Sequence, residues 1–254
     1  MNRMCRTVAV MLPLILILTA AGAFGGSPPS VLFDEGHGQR FLIAETGPLH
    51  LASFAEMFAQ AGLRVSSTSS PLTPDALAHT DILVISGPFH PYSAEEAEAL
   101  ARFVEEGGRL AMMLHIGIPL DKVLTRLGVD YTTSVIHERE EVIDGDPLNF
   151  RVTRLTPHPL TANLEHFSMY GVWAVRNTDD RSAVIARTSD SSWVDLNGDG
   201  KLSAGDAVQS FGVVVAGAYG KGRFVVFGDD AVFQNRFLDA DNRRLAANLI
   251  GWLK

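Results

Sequence analysis

Between residues 30 and 114 the chain alternates short apolar runs with stretches whose apolar residues recur every three or four positions. The runs, Ser30 to Asp34, Leu63 to Ser67, Ile82 to Ser86 and Arg109 to Leu114, have the length of strands. Strands alternating with helical patterns predict an α/β domain with a parallel sheet and crossover helices. Leu51, Phe54, Ala55 and Phe58 stand at the i, i+3, i+4, i+7 spacing of one buried helical stripe. Thr73-Pro74 starts a short second helix, with threonine as cap and proline at the first helical position. Ser93 and Glu96 form a capping box for a third, in which Ala97, Leu100, Ala101 and Val104 share a face and Gly107-Gly108 ends the pattern. Leu120 to Leu127 predicts a fourth, ended by Gly128.

From Val129 to Ser189 the alternation weakens, which predicts several short strands with long loops. Phe211 to Ala218 and Arg223 to Phe227 then flank Tyr219-Gly-Lys-Gly222, a hairpin signal because glycine tolerates the positive φ of tight turns. A last helix follows, with Leu245, Leu249 and Trp252 on one stripe.

The N-terminus reads differently. Arg3 and Arg6 precede an apolar run from Val8 to Leu18, and Ala21-Gly22-Ala23 supplies the small residues of a cleavage site. This predicts a signal peptide over residues 1–23 and an exported, periplasmic or extracellular protein; an uncleaved anchor is the alternative. No second apolar run of that kind follows, so the expected mature chain has no membrane span. The only cysteine, Cys5, lies in the leader, which leaves the mature chain without a disulfide or a thiol nucleophile. Removing Arg3 and Arg6 leaves 19 Lys and Arg against 29 Asp and Glu. That acidic balance repels phosphate backbones and excludes nucleic acid as the expected partner. With no Pro/Ser linker in sight, residues 27–254 are expected to form a single domain.

Within it, DLNGDGKLSAGD, residues 195–206, has the layout of a calcium loop. Calcium takes six to eight oxygens, which a 12-residue loop supplies from positions 1, 3, 5, 7, 9 and 12 around a glycine at 6. Those positions hold Asp195, Asn197, Asp199, Lys201 through its carbonyl, Ser203 and Asp206, with Gly200 at the turn. The flanks read as strands, so there is no helix pair to open, and the expected ion is a structural calcium that pins a loop. An Asn/Asp/Gly turn without an ion is the alternative.

In an open parallel sheet, ligands bind at the carboxyl ends of the strands. Those ends carry Asp34-Glu35-Gly36-His37-Gly38, Gly87-Pro88-Phe89-His90, His115-Ile116-Gly117 and Gly228-Asp229-Asp230. Asp34, Glu35, His37, His90, His115 and Asp229 are therefore the candidate ligand-binding residues. Imidazoles and carboxylates are metal ligands and proton carriers, so Glu35, His37, His115 and Asp229 form an alternative catalytic set for a hydrolase. Each also has a plain structural reading, Asp229 as the cap of the next helix among them.

FDEGHGQRF, then DILVISGPFHPYSAEEAEALARFVEEGGRLAMML, and the closing YGKGRFVVFGDDAVFQN together resemble the class I glutamine amidotransferase-like domains of gliding-motility, intraflagellar-transport and ABC-transport-associated proteins. Trehalose-utilisation-type proteins are similar at a greater distance, and TPHPLTANLEHF is similar to a His-Pro loop of these relatives. The resemblance implies a flavodoxin-like three-layer sandwich with a mostly parallel central sheet and a C-terminal β-hairpin plus helix. It also argues against amidotransferase activity, because glutaminases of this fold attack with a cysteine where this chain has Leu114-His115-Ile116-Gly117. What it implies instead is a non-catalytic module whose partner is a carbohydrate or another envelope protein.

Overall fold

The computed structural model describes residues 28–115 and 117–254, so the expected leader lies outside the described residues. The first half holds β1 (Ser30–Asp34), α1 (Ala52–Gln60), β2 (Arg64–Thr68), α2 (Pro74–Leu77), β3 (Ile82–Ser86), α3 (Ala94–Glu105), β4 (Arg109–Met113) and α4 (Asp121–Leu127). The middle adds β5 (Val129–His137), β6 (Val142–Ile143), β7 (Asp146–Val152), β8 (Arg154–Leu155), β9 (Phe167–Tyr170) and β10 (Trp173–Asn177). The remainder is β11 (Ser182–Arg187), β12 (Trp193–Val194), β13 (Ala207–Val208), β14 (Gly212–Tyr219), β15 (Gly222–Phe227) and α5 (Ala240–Leu253).

The local signals act as their chemistry dictates. Thr73 caps α2 by accepting from the Ala76 amide, and Ser93 and Glu96 exchange both bonds of the capping box on α3. Gly128 closes α4 in the left-handed region. The β14–β15 hairpin turns on Gly220, at φ +61, with Tyr219 paired to Gly222.

Eight strands form the main sheet in the order β2-β1-β3-β4-β15-β14-β11-β8. The pairs from β2 to β15 are parallel, and those from β15 through β14 and β11 to β8 are antiparallel. The sheet is thus mixed where a mostly parallel one was expected. The hairpin is the cause: a two-residue turn can join only antiparallel neighbours, and β15 lies against β4, so the hairpin continues the sheet instead of standing beside it.

β1 and β3 are buried along their whole length, which is why they read as unbroken apolar runs. Successive residues feed opposite faces. Val31, Phe33, Ile82 and Val84 join a core with Phe54, Phe58, Phe233, Leu245 and Leu249. Leu32, Leu83 and Ile85 join another with Leu100, Val104, Leu124 and Phe224. Phe33 meets Phe54 and Phe58 edge-on, at 6.1 and 5.7 Å between centroids, a favoured aromatic geometry.

Two smaller sheets, β10-β5-β12-β13 and β6-β7-β9, come from the middle of the chain. The Trp173 amide donates to the Gly228 carbonyl at 2.8 Å, which sets the start of β10 beside the carboxyl end of β15. Among the described residues no helix is long and apolar enough to cross a membrane.

Candidate functional site

Because β1, β3, β4 and β15 are parallel neighbours, their carboxyl ends share one rim. The polar residues there form two clusters with different chemistry.

The first is closed. His37 Nδ1 lies 2.8 Å from Asp34 Oδ2, and its Nε2 lies 3.0 Å from Glu96 Oε1 on α3. Asp34 Oδ2 also accepts from Gln39 Nε2 at 2.7 Å and from the Tyr92 hydroxyl. The imidazole stacks on the Tyr92 ring at 3.7 Å between centroids, and the Phe89 and His90 amides both donate to the His37 carbonyl. Burial disfavours the imidazolium, but the bonds and charges of Asp34 and Glu96 outweigh it and hold the His37 pKa above 6.5. Burial would also raise Glu96, yet the Ser93 and Leu72 amides and the charge of His37 bring it below its ordinary value. Burial beside Asp34 pushes the Tyr92 hydroxyl well up, so it stays a donor. With both ring nitrogens occupied, His37 fastens the β1 loop to α3 and has no atom left for a substrate.

The second cluster is open. His115 follows β4, and its Nδ1 lies 3.1 Å from Oδ1 of Asp230, which is buried. The hydrogen bond that His115 donates to Asp230 raises the His115 pKa above 6.5 against the opposing effects of burial and Arg40. Burial raises Asp230 in turn, less the effect of His115. The His115 side chain is 36 % exposed, and its Nε2 has no hydrogen-bond partner among the described residues. Asp230 Oδ2 is buried without a partner. It lies over Gly87, where an added Cβ would come within 2.2 Å of it. His115, Asp229 and Asp230 line a cavity of 340 Å³ whose walls include Phe41, Leu49, Tyr170, Trp173 and Gln234.

The other expected rim residues are spread over separate tasks. Glu35 turns away and accepts from the Ile43 amide at 3.0 Å, bracing the loop that carries Phe41. His90 is exposed. Asp229 is buried, accepting from the Tyr170 amide at 2.9 Å and the Ala231 amide at 2.7 Å, so it ties the end of β9 to the segment after β15. Burial and the neighbouring Asp230 push its pKa well above the ordinary carboxylate range. Sequence reasoning missed Gln39, Tyr92, Glu96 as a partner of His37, and Asp230. Only for Asp230 was a signal present, as the second acid of a doublet after an apolar strand.

Away from the rim, β12 and β13 pair and the 195–206 loop closes their hairpin. Carboxylate oxygens of Asp195, Asp199 and Asp206 lie within 4.8 Å of one another. This is the one such gathering of His, Cys, Asp and Glu among the described residues, so the rim does not form a metal-ligand cluster. Asp195 accepts from the Gly198 and Gly200 amides, Asn197 from Asp199, Asp199 from Lys201, and Asp206 from Leu196 and Ser203. Hydrogen bonds led by that from Gly200 lower the Asp195 pKa.

Comparison with known proteins places this geometry in context. The mmIFT52 N-terminal domain is similar in fold, with a TM-score of 0.70 at 14% identity over 88% of this chain and 96% of that one. A ThuA-like protein from Bacteroides uniformis gives 0.57 at 16% identity, covering 92% and 94% of the two chains. A cytoplasmic protein from Salmonella typhimurium LT2 gives 0.58 at 17%, covering 89% and 99%. At these identities the likeness is one of fold. No protein of curated function matches the sequence. Residues 44–250 match the family described as Domain of unknown function (DUF4350), and the chain belongs to that family.

Proposed function

We propose that the chain is an exported, non-catalytic ligand- or protein-binding module of the cell envelope, with the cavity beside His115 as its ligand site and the 195–206 loop as a structural calcium site. Export rests on the sequence of residues 1–23 alone. The parallel order β2-β1-β3-β4-β15 supports the flavodoxin-like arrangement, in which ligands sit beyond the carboxyl ends of the strands.

One observation carries the binding reading. Of Glu35, His37, His115 and Asp229, only His115 keeps a ring nitrogen free at the cavity. Glu35 braces a loop, His37 is bonded at both nitrogens, and Asp229 receives two amides. Hydrolysis by a paired acid and base needs a second group within reach of the same substrate atom, and the assigned partners are engaged elsewhere. Aromatic faces of Phe41, Tyr170 and Trp173 with a few polar groups suit a small ring-bearing ligand, a carbohydrate unit among them.

The alternative is a hydrolase in which Asp230 orients His115 as base, a reading favoured by the 3.1 Å contact between them. A thermal-shift screen of glycans and metabolites on the mature protein separates the two. The expected result is a ligand that raises Tm in the wild type, no longer does so in Trp173→Ala, and is recovered unchanged. Turnover of any hit, or of chromogenic esters or glycosides, that disappears in His115→Gln would sink the binding reading.

For the loop, the donors fit a hard cation: three carboxylates, the Asn197 and Ser203 oxygens and the Lys201 carbonyl are all oxygen ligands. A cation would also offset the mutual repulsion of the three acids. With a Kd on the order of 10⁻⁴ M, calcium at ten times that value stabilises by about 1.4 kcal/mol. For a domain of this size the Tm rises by roughly 3–6 °C. Calorimetry with calcium and with magnesium tests it; a Tm indifferent to calcium, or a rise that survives Asp195→Ala, removes the ion.

A further inference from the structure

The mouth of the His115 cavity has a charge character unlike that of the chain as a whole, which carries a formal net charge of −8. Arg40 and Phe41 are consecutive on the loop after β1. The Arg40 guanidinium lies 4.7 Å over the Phe89 ring, and that ring sits 4.9 Å from the His115 imidazole. Phe41 approaches the same imidazole from another side, at 5.8 Å, and lines the cavity. Arg40 is exposed and has no carboxylate partner among the described residues. Two basic side chains thus flank the Phe89 ring beside the apolar-walled cavity that His115 lines, one with an unpaired guanidinium and the other with a free Nε2.

We propose that this cavity selects a small monocarboxylate with a flat apolar body, its carboxylate held between Arg40 and His115 Nε2 and its body against Phe41 and Trp173. The inference rests on the reading of the cavity as the ligand site and adds the ligand's charge and class.

Guanidinium and imidazolium both donate to carboxylate oxygens in charge-assisted bonds, the stronger kind of hydrogen bond. His115 Nδ1 already faces Asp230, which leaves Nε2 as the donor to a ligand once the ring is protonated, and the Asp230 bond favours that form. The Phe41 and Leu49 walls suit an apolar body better than the hydrated oxygens of a dianion such as phosphate. Asp229 and Asp230 also line the cavity, so the sign of the preferred ligand reports whether they or the two basic groups dominate. Arg40, exposed and without a carboxylate partner among the described residues, decides it.

The test uses three probes of one shape, benzoate, benzyl alcohol and benzylammonium, with inorganic phosphate as a control. Binding is followed at pH 6 by chemical-shift changes of the Trp173 indole and His115 ring signals in the mature protein. Benzoate is expected to bind roughly tenfold tighter than benzyl alcohol, the worth of one hydrogen bond to a charged group. Benzylammonium and phosphate are expected to be weaker than benzyl alcohol. Arg40→Gln should remove that advantage, and Arg40→Lys should restore part of it. A benzoate preference untouched by Arg40→Gln, equal affinity for the acid and the alcohol, or a preference for benzylammonium or phosphate each overturns the inference while the cavity stands. Failure of all probes to move the Trp173 and His115 signals overturns the cavity reading itself.

Discussion

His37→Ala is expected to destabilise the protein by about 3–5 kcal/mol, the cost of breaking a buried ion pair and leaving its partner behind. The partner is Asp34, whose side chain is fully buried, and which keeps only Gln39, Tyr92 and the Gly36 amide as donors. The loss should depend on pH with a sign fixed by two shifts. The His37 pKa is raised, so its contribution is complete below 6.5 and is lost as pH rises through the elevated value. Glu96 is lowered, so its contribution is complete above 4.5 and is lost as pH falls through the depressed value. The gap between wild type and His37→Ala should therefore be widest between pH 4.5 and 6.5 and narrow on both sides. Urea unfolding of the two proteins across that range measures it. A gap that grows from pH 6.5 to pH 9 would show that the ring is held neutral and that the bridge does not operate.

Gly87→Ala should cost about 2–5 kcal/mol and, more tellingly, change His115. The backbone at Gly87 takes φ +55, where a Cβ costs about 1–2 kcal/mol. The Cβ would also stand 2.2 Å from Asp230 Oδ2, an overlap worth about 1–3 kcal/mol. Relief of the overlap moves the Asp230 carboxyl and weakens its bond to His115, so the imidazole pKa should fall back towards 6.5. Gly62→Ala is the control, because Gly62 has φ +84 with open space around it and carries the backbone cost alone. Calorimetry gives the stability of each variant and an NMR titration gives the His115 pKa. Equal losses in the two variants with His115 unmoved would mean that Asp230 does not rest on Gly87.

The parts of the fold that could be read from the sequence were those with a period. β1 and β3 were bounded to the residue because buried parallel strands are continuous apolar runs between turn residues; β2, an edge strand without a buried residue, was placed to within one. The middle resisted for the same reason: β6, β8, β12 and β13 have two residues each, too short for any alternation to show. Trp252 was placed on the buried stripe of α5, whose last buried residue is Leu253, with Trp252 half-buried beside it. At the rim, Asp34 and His37 were legible together because they stand three positions apart where β1 runs into its loop. The Glu96 that completes their network was visible only as a cap, since its other oxygen reaches His37 across 59 positions of sequence. The Asp229–Asp230 doublet shows the limit of such reading. Both are buried acids after one strand, and which of them meets His115 and which the backbone depends on how the end of β9 lies against the end of β15.

The place of β15 in the main sheet bears on how the protein is made. Residues 222–227 lie between β4 and β14, so the edge of β4 has no partner until more than a hundred further residues have been made. Pairing across such a separation in sequence is slow to close, and an unpaired strand edge invites association with other chains in the meantime. A holding chaperone that covers the open edge of β4 is therefore useful until the last hairpin forms.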